Sequence, residues 1–243
     1  MKLLAIDAGN SRIKWGSSEA GEWLERGAVA TAQAHELSEA LRRLPAPGRI
    51  VVANVAGDTA GQSIRDALAP FSAAPAWVVS REAQCGVRSG YAQPAQLGPD
   101  RWAALIGARH LYDGPCVVVN AGTTMTVDAL SADGLFLGGC IVPGYSLMKQ
   151  ALAGNTARLG LQDGAFSFFP DNTGDAIASG AVNALAGAIE RMKRYMTQSG
   201  EADALVMLSG GDAGVLTPLL NESVQVVDNL VLEGLMCIGA NDG

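Results

Sequence analysis

The sequence predicts an α/β fold built from two similar halves that face each other across a cleft. A short apolar run, a glycine turn and an alternating stretch occur twice, at 3–15 and again at 116–129. A third glycine turn follows the apolar run at 204–208, and helical patterns separate these segments. Strands mixed with helices in this order indicate the α/β class, and the repeat indicates two related halves.

The repeated segments are each interpreted as strand, tight turn and strand. In the first, the apolar run at 3–6 ends in D-A-G-N-S at 7–11, and apolar side chains then alternate with Arg12 and Lys14. In the second, C-V-V-V at 116–119 is followed by N-A-G-T-T at 120–124. Aligning Asp7 with Asn120 matches small residue with small residue and Gly9 with Gly122. Both turns therefore come directly after a buried strand.

The remaining elements follow from periodicity and from breaker residues. Apolar residues at helical spacing predict three helices, and the third is the longest. The apolar run at 204–208 predicts a buried strand that ends in S-G-G-D, and another helix is predicted after it. Residues 45–48 form a predicted loop, and D-G-P at 113–115 is the predicted boundary between halves, which places the domains at 1–114 and 115–243. The predicted helices lie at 60–71, 100–111 and 173–198.

Composition excludes several classes of protein. The 17 basic and 24 acidic residues leave a net charge of -7, too little positive charge to neutralise a nucleic-acid backbone. The four cysteines are scattered without a C-x-x-C pair, which indicates reduced thiols and no structural zinc site. The apolar run at 3–6 is too short for a signal peptide, and no apolar run in the sequence reaches membrane-spanning length. We therefore expect a cytoplasmic protein without nucleic-acid or membrane partners.

The repeated turns suggest phosphate chemistry. Glycine lets backbone N–H groups approach a phosphate closely, and hydroxyl or amide side chains beside it add donors. Asp7 can hold Mg²⁺ against the phosphates through water, and Lys14 adds a positive charge. The alternative is a plain hairpin, because turns favour these same residues. The sequence lacks both the P-loop and the G-x-G-x-x-G pattern, which argues against those two nucleotide sites.

A second candidate site is G-P-D-R at 98–101, at the start of a predicted helix. The Asp100 carboxylate can take a proton from an acceptor hydroxyl, and Arg101 can bind an acceptor's carboxylate through two parallel hydrogen bonds. The alternative is an acidic residue that only stabilises a helix N-terminus. His35 and His110 are solitary and receive no role, and no G-x-S-x-G pattern supports a triad hydrolase.

Taken together, the motifs resemble those of the type III pantothenate kinases, members of the acetate and sugar kinase, Hsp70 and actin superfamily. The resemblance extends along essentially the whole chain. The matching motifs, in order, are D-A-G-N-S-R-I-K at 7–14, G-Y at 90–91, G-P-D-R at 98–101, N-A-G-T at 120–123, G-G-C-I-V-P-G-Y-S-L-M at 138–148, N-T at 172–173 and S-G-G-D at 209–212.

This resemblance implies an actin-like ATPase (ribonuclease H-like) fold with the second phosphate hairpin and an adenosine motif in the C-terminal half. It implies ATP-dependent phosphorylation of pantothenate to 4'-phosphopantothenate, the first step of coenzyme A synthesis, by a homodimer. Asp100 would be the proton acceptor. The implied ATP-binding residues are Asp7, Ala8, Gly9, Asn10, Ser11, Arg12, Ile13, Lys14 and Thr123, and the implied pantothenate-binding residues are Tyr91, Gly98, Pro99, Asp100, Arg101 and Thr173.

One position departs from the family pattern. The second hairpin of the family commonly begins with Asp, which helps to bind an activating monovalent cation, whereas this chain has Asn120. An amide keeps an oxygen ligand but loses the charge, so we expect weak dependence on K⁺ or NH₄⁺. Two alternatives remain at this stage: a nucleotide-binding regulator or assembly factor of the same fold, and a kinase of the superfamily with another alcohol acceptor.

Overall fold

The computed structural model describes residues 1–156, 160, 162–220 and 223–241. The chain forms two compact units, and the first contains residues from both ends of the chain. The first unit comprises Met1–Asp113, Gly134–Phe136 and Asn229–Gly243, and the second comprises Gly114–Asp133 and Leu137–Asp228. The division into domains at 1–114 and 115–243 stays a prediction, and so does the cleft between two halves.

Strands and helices alternate along most of the chain. The strands are β1 (Lys2–Ala8), β2 (Arg12–Glu19), β3 (Glu22–Ala30), β4 (Arg49–Asn54), β5 (Pro75–Trp77), β6 (Ala83–Gln84), β7 (Val87–Ser89), β8 (Cys116–Ala121), β9 (Thr124–Leu130), β10 (Leu135–Pro143), β11 (Leu205–Ser209) and β12 (Val224–Val226). The α-helices are α1 (Leu37–Arg42), α2 (Asp58–Leu68), α3 (Pro99–Leu111), α4 (Tyr145–Asn155), α5 (Thr173–Gln198), α6 (Ala213–Leu216) and α7 (Leu230–Asn241). Short 3₁₀ helices lie at Thr31–Glu36, Pro94–Gln96 and Thr217–Leu219.

The first unit is organised around a five-stranded sheet in the order β3-β2-β1-β4-β5. Strand β1 is central: it pairs antiparallel with β2 and parallel with β4, so both of its edges are hydrogen-bonded. A central strand covered on both faces requires a nearly continuous apolar run, and residues 3–8 are all buried. The sheet therefore holds the end of β1, with Asp7, in a fixed place.

The other sheet has the order β12-β11-β8-β9-β10-β7-β6, and its part from β12 to β10 repeats this topology. Here β8 has the central position of β1, paired antiparallel with β9 and parallel with β11. The duplication predicted from the two hairpins is thus present in the sheets. The turns differ in length, because Ala8 pairs with Ile13 while Ala121 pairs with Met125. The alignment that matches Asp7 with Asn120 therefore holds as far as the glycine and is displaced by one residue after it.

The three helices predicted from periodicity are confirmed as α2, α3 and α5, with small shifts at their ends. The strand predicted at 204–208 is confirmed as β11. The C-terminal helix α7 was not singled out from the sequence. It packs on α3 at close range, since a Cβ at Gly107 would collide with Leu230 O and one at Gly234 with Ala103 O. Within the described ranges, no helix has both the length and the apolar character to cross a bilayer.

Candidate active site

The first glycine turn follows β1 and is held in place by its own backbone and by a threonine. Gly9 N–H donates to Arg12 O at 3.0 Å, which closes the turn. Thr31 clamps it from the side: its N–H donates to Ser11 O at 3.0 Å and its hydroxyl donates to Gly9 O at 2.7 Å. Asn10, Ser11 and Arg12 are exposed at the turn, whereas Ile13 is fully buried in the core.

Asp7 is a buried carboxylate at the base of this turn. Its side chain is 8% exposed, and in the sheet register it lies opposite Lys14. Burial away from water raises the pKa of Asp7 to about 7, the positive charge of Lys14 lowers it, and the negative charge of Asp100 raises it again. The charges of two other predicted site residues of the first unit, Lys14 and Asp100, therefore both act on Asp7.

Asp100 lies in the first turn of α3. Pro99 occupies the start of the helix, where its missing N–H costs nothing, and a Cβ at Gly98 would come within 2.6 Å of Asp100 Oδ1. Burial raises the pKa of Asp100, while the N–H groups of Arg101 and of Asp100 itself and the charge of Arg101 lower it. The carboxylate therefore interacts with the helix N-terminus, as the simpler interpretation predicted, and is also partly desolvated.

Arg101, the next residue, is buried against two aromatic rings. The residue is 7% exposed, and its side-chain Nη1 donates a hydrogen bond to Tyr91 Oη at 3.3 Å. The guanidinium carbon lies 6.0 Å from the Tyr91 ring and 5.8 Å from the Phe136 ring. The two ring centroids are 5.1 Å apart. The structure thus brings Tyr91 and Arg101 together as predicted, and adds Phe136, which the sequence did not single out.

The second glycine turn, in the second unit, is built differently. Gly122 N–H donates to Thr124 O at 3.1 Å, and Gly144 N–H donates to Thr123 O at 2.9 Å. A Cβ at Gly144 would collide with Gly122 O, so only glycine allows this approach. Thr123 is exposed on the turn, and Asn120 is half-buried beside Ser209 of the neighbouring strand.

The S-G-G-D segment forms a third turn that packs against the second. Asp212 N–H donates to Ala121 O at 3.1 Å, and a Cβ at Gly210, whose φ is +104°, would collide with the same carbonyl. Burial raises the pKa of Asp212, and the N–H of Tyr145 lowers it. The motif is visible in the sequence, but the contact of Asp212 with the Tyr145 N–H is not, because it depends on tertiary structure.

Thr173, the remaining predicted acceptor residue, begins helix α5 in the second unit. It is exposed and lines an apolar cavity of about 560 Å³ between α4 and α5. Asn172 caps the helix by accepting the Asp175 N–H at 2.9 Å. The N-T motif therefore begins helix α5, and its threonine, Thr173, lies at the edge of an apolar cavity.

The residues around Asp7 fit a divalent cation. Two carboxylates, Asp7 and Asp100, interact electrostatically and are partly or fully desolvated, so each gains from a nearby positive charge. Oxygen donors of this kind suit Mg²⁺, which keeps several waters and takes few protein ligands. Among the described residues, no three His, Cys, Asp or Glu side chains cluster as an all-protein metal site.

The sequence matches a family model described as type III pantothenate kinase over residues 3–195. Proteins named type III pantothenate kinase are similar along nearly the full chain. The protein from Nitrosospira multiformis is 47% identical, over 97% of this chain and 90% of its own length. The protein from Aromatoleum aromaticum is 48% identical, over 99% and 98%.

Solved structures with low sequence identity share the fold. Ethanolamine utilization protein EutJ from Carboxydothermus hydrogenoformans is 14% identical, with a TM-score of 0.57 over 98% of this chain and 89% of that one. The activator of the 2-hydroxyisocaproyl-CoA dehydratase from Clostridium difficile, solved with bound ADPNP, is 13% identical, with a TM-score of 0.53 over 98% and 93%. The fold is that of the actin-like ATPases, as predicted.

Proposed function

Because the chain belongs to the type III pantothenate kinase family, we propose that Asp100 and the first glycine turn perform the family's reaction. The enzyme phosphorylates pantothenate in coenzyme A biosynthesis, with ATP as the phosphoryl donor. The principal support for these residue roles is that the negative charge of Asp100, the candidate base, raises the pKa of Asp7 at the candidate phosphate turn.

Asp100 acts as the general base. As the oxygen of the 4'-hydroxyl of pantothenate bonds to the γ-phosphorus, the hydroxyl proton passes to the Asp100 carboxylate and ADP leaves with the electron pair of the broken bond. Desolvation makes this carboxylate a stronger base than an exposed aspartate, because burial raises its pKa. The Arg101 N–H bond to the same carboxylate orients it.

Arg101 binds the carboxylate of pantothenate. A guanidinium presents several N–H donors in one plane, which matches the two oxygens of a carboxylate. Tyr91 Oη accepts one of these donors at 3.3 Å. The side chain is buried against the aromatic rings of Tyr91 and Phe136, so its orientation is restricted before substrate arrives. Gly98 and Pro99 shape the adjoining turn.

The turn at 9–12 and Lys14 bind the phosphates, and Asp7 would hold Mg²⁺ through water. Bound Mg²⁺ supplies positive charge that neutralises the transferring phosphoryl oxygens. Ala8 and Ile13, on either side of this turn, are buried and contribute only backbone groups to the phosphate site. Asn10, Ser11 and Arg12 are exposed and present polar side chains. Thr123 of the second turn contacts the nucleotide.

The active protein is a homodimer in the cytoplasm, with Thr173 near the subunit interface. The support is the apolar character of this part of the second unit. Phe168 and Phe169 are 81% and 93% exposed, and the cavity beside Thr173 is lined almost wholly by apolar side chains. Large exposed apolar groups of this kind are typical of protein interfaces. A monovalent cation has at most a weak effect, because Asn120 carries no charge.

Replacing Asp100 with Asn tests the base. We expect Asp100→Asn to fold and to bind ATP but to lose about 10²- to 10⁴-fold in kcat, measured as pantothenate-dependent ADP release. Asp58→Asn is a matched control, since Asp58 also lies in the first turn of a helix in the same unit. Turnover by Asp100→Asn within a few fold of the control would remove Asp100 from this role.

A further inference from the structure

Phe136 lies against the Arg101 guanidinium and has no polar side-chain atom of its own. Its ring is 5.8 Å from the guanidinium carbon, and the residue is fully buried. A phenyl ring can act on a cation only through packing and through the negative face of its π system. Phe136 can therefore act on the acceptor site through the position and charge environment of Arg101.

The backbone around Phe136 also carries the second ring. Phe136 pairs with Ser89 where β10 runs parallel to β7, and its carbonyl accepts Gly90 N–H at 2.9 Å. Ser89 Oγ in turn accepts Tyr91 N–H at 3.3 Å. Phe136 and Tyr91 thus lie on two hydrogen-bonded segments, and their ring centroids are 5.1 Å apart. The pair forms an aromatic support, Tyr91 and Phe136, for the guanidinium.

We propose that Phe136 is a positioning residue that orients Arg101 and thereby gives the enzyme its preference for an acceptor that carries a carboxylate. The inference rests on the proposed function, in which Arg101 binds that carboxylate. Tyr91 restricts rotation of the Arg101 guanidinium by accepting a hydrogen bond from it, and Phe136 restricts it by packing of the ring. A guanidinium held in this way loses less conformational entropy when it binds a planar anion.

The preference for a charged acceptor is the measurable consequence. The probes are pantothenate and pantothenol, in which a CH₂OH group replaces the carboxylate. The ratio of their kcat/KM values reports the contribution of Arg101 and cancels general losses of folded enzyme or of ATP binding. Both substrates are measured at saturating ATP with enough enzyme to detect slow turnover of pantothenol.

Phe136→Leu and Phe136→Met remove the ring, and Phe136→Tyr keeps it. We expect the two ring-free variants to lower the preference for pantothenate about five- to thirtyfold, mainly through its KM, whereas Phe136→Tyr stays close to the parent protein. Phe71→Leu is the matched control, because it makes the same change beside the core of the same unit. Whichever ring-free variant is folded yields the ratio, since the comparison is internal to each variant.

A ring-free variant that loses activity equally toward both substrates, with an unchanged ratio, would show that Phe136 serves stability alone and would overturn the inference. Arg101→Lys separates this failure from a failure of the proposed function. If Arg101→Lys also keeps the parent ratio, Arg101 does not read the carboxylate, and the assignment of the acceptor site is wrong. If only Arg101→Lys lowers the ratio, the acceptor site stands and the role of Phe136 is wrong.

Discussion

The two glycine turns have the same position in their sheets but differ in charge and in support. The first follows a buried carboxylate, Asp7, and is clamped by Thr31. The second is one residue shorter, follows an amide at Asn120, and is supported by Gly144 and by the S-G-G-D turn. The two turns thus share the strand order and the glycine, whereas a buried carboxylate precedes the glycine only in the first turn.

Of the changes that compare the two turns, removing the charge from the first is expected to have the largest effect. Asp7→Asn eliminates the group proposed to hold Mg²⁺, so kcat/KM for MgATP should fall about 10²- to 10³-fold. The matched change in the second turn, Asn120→Ala, removes an uncharged group and should cost less than about tenfold. Steady-state kinetics at varied MgATP measure both. Equal losses would mean that the two turns do not differ as described.

The buried charge should also make stability depend on pH. The pKa of Asp7 is raised from 3.8 to about 7 in the folded, ligand-free protein, so the folded state binds this proton more tightly than the unfolded state does. Its contribution to the free energy of unfolding is therefore fully present below about pH 4 and is lost as pH rises to about 7, by about 4 kcal/mol. Denaturant unfolding of the parent protein and Asp7→Asn should diverge over this window, with the variant the more stable above it.

Support of the second turn can be tested by adding a methyl group. Gly144→Ala should destabilise the protein by about 2 to 3 kcal/mol, because its Cβ would collide with the backbone of Gly122. Gly9→Ala is the counterpart in the first turn, where the nearest atom, Arg12 O, would be 3.4 Å away. We expect less than about 1 kcal/mol there. Thermal melts compare the two variants, and a reversed order would contradict the account of how each turn is supported.

Restoring the charge at Asn120 should have the smallest effect. Asn120→Asp gives the second turn a carboxylate at the position that Asp7 has in the first, worth about 1 kcal/mol toward a cation in a water-accessible site, or about fivefold in affinity. Turnover of the variant should rise more with added K⁺ than that of the parent protein. Strong activation of the parent protein by K⁺ would show that the amide suffices.

Much of the fold could be predicted from local pattern, because strands, glycine turns and long helices leave periodic signals. The paired hairpins and helix α5 were located in this way. Helix α7 was not, since its role depends on packing against α3 and on contacts such as Trp23 Nε1 to Glu233 Oε1 at 2.8 Å, which span 210 positions of sequence.

The candidate site was predictable where its residues are contiguous. Asp100 and Arg101 adjoin in one motif, and Asp7 and Lys14 in another. That the negative charge of Asp100 acts on Asp7 and raises its pKa is a consequence of tertiary structure, which the sequence does not show. Phe136 gave no signal, because a buried phenylalanine in a strand is ordinary core until its neighbour is known to be a guanidinium.

The most direct test of the account is a crystal structure with pantothenate and a nonhydrolysable ATP analogue. If Asp100 is the base, one of its carboxylate oxygens will lie within about 2.6 to 3.2 Å of the 4'-hydroxyl, with that hydroxyl facing the γ-phosphorus. A hydroxyl bound out of reach of Asp100, with no water between them, would contradict the central claim.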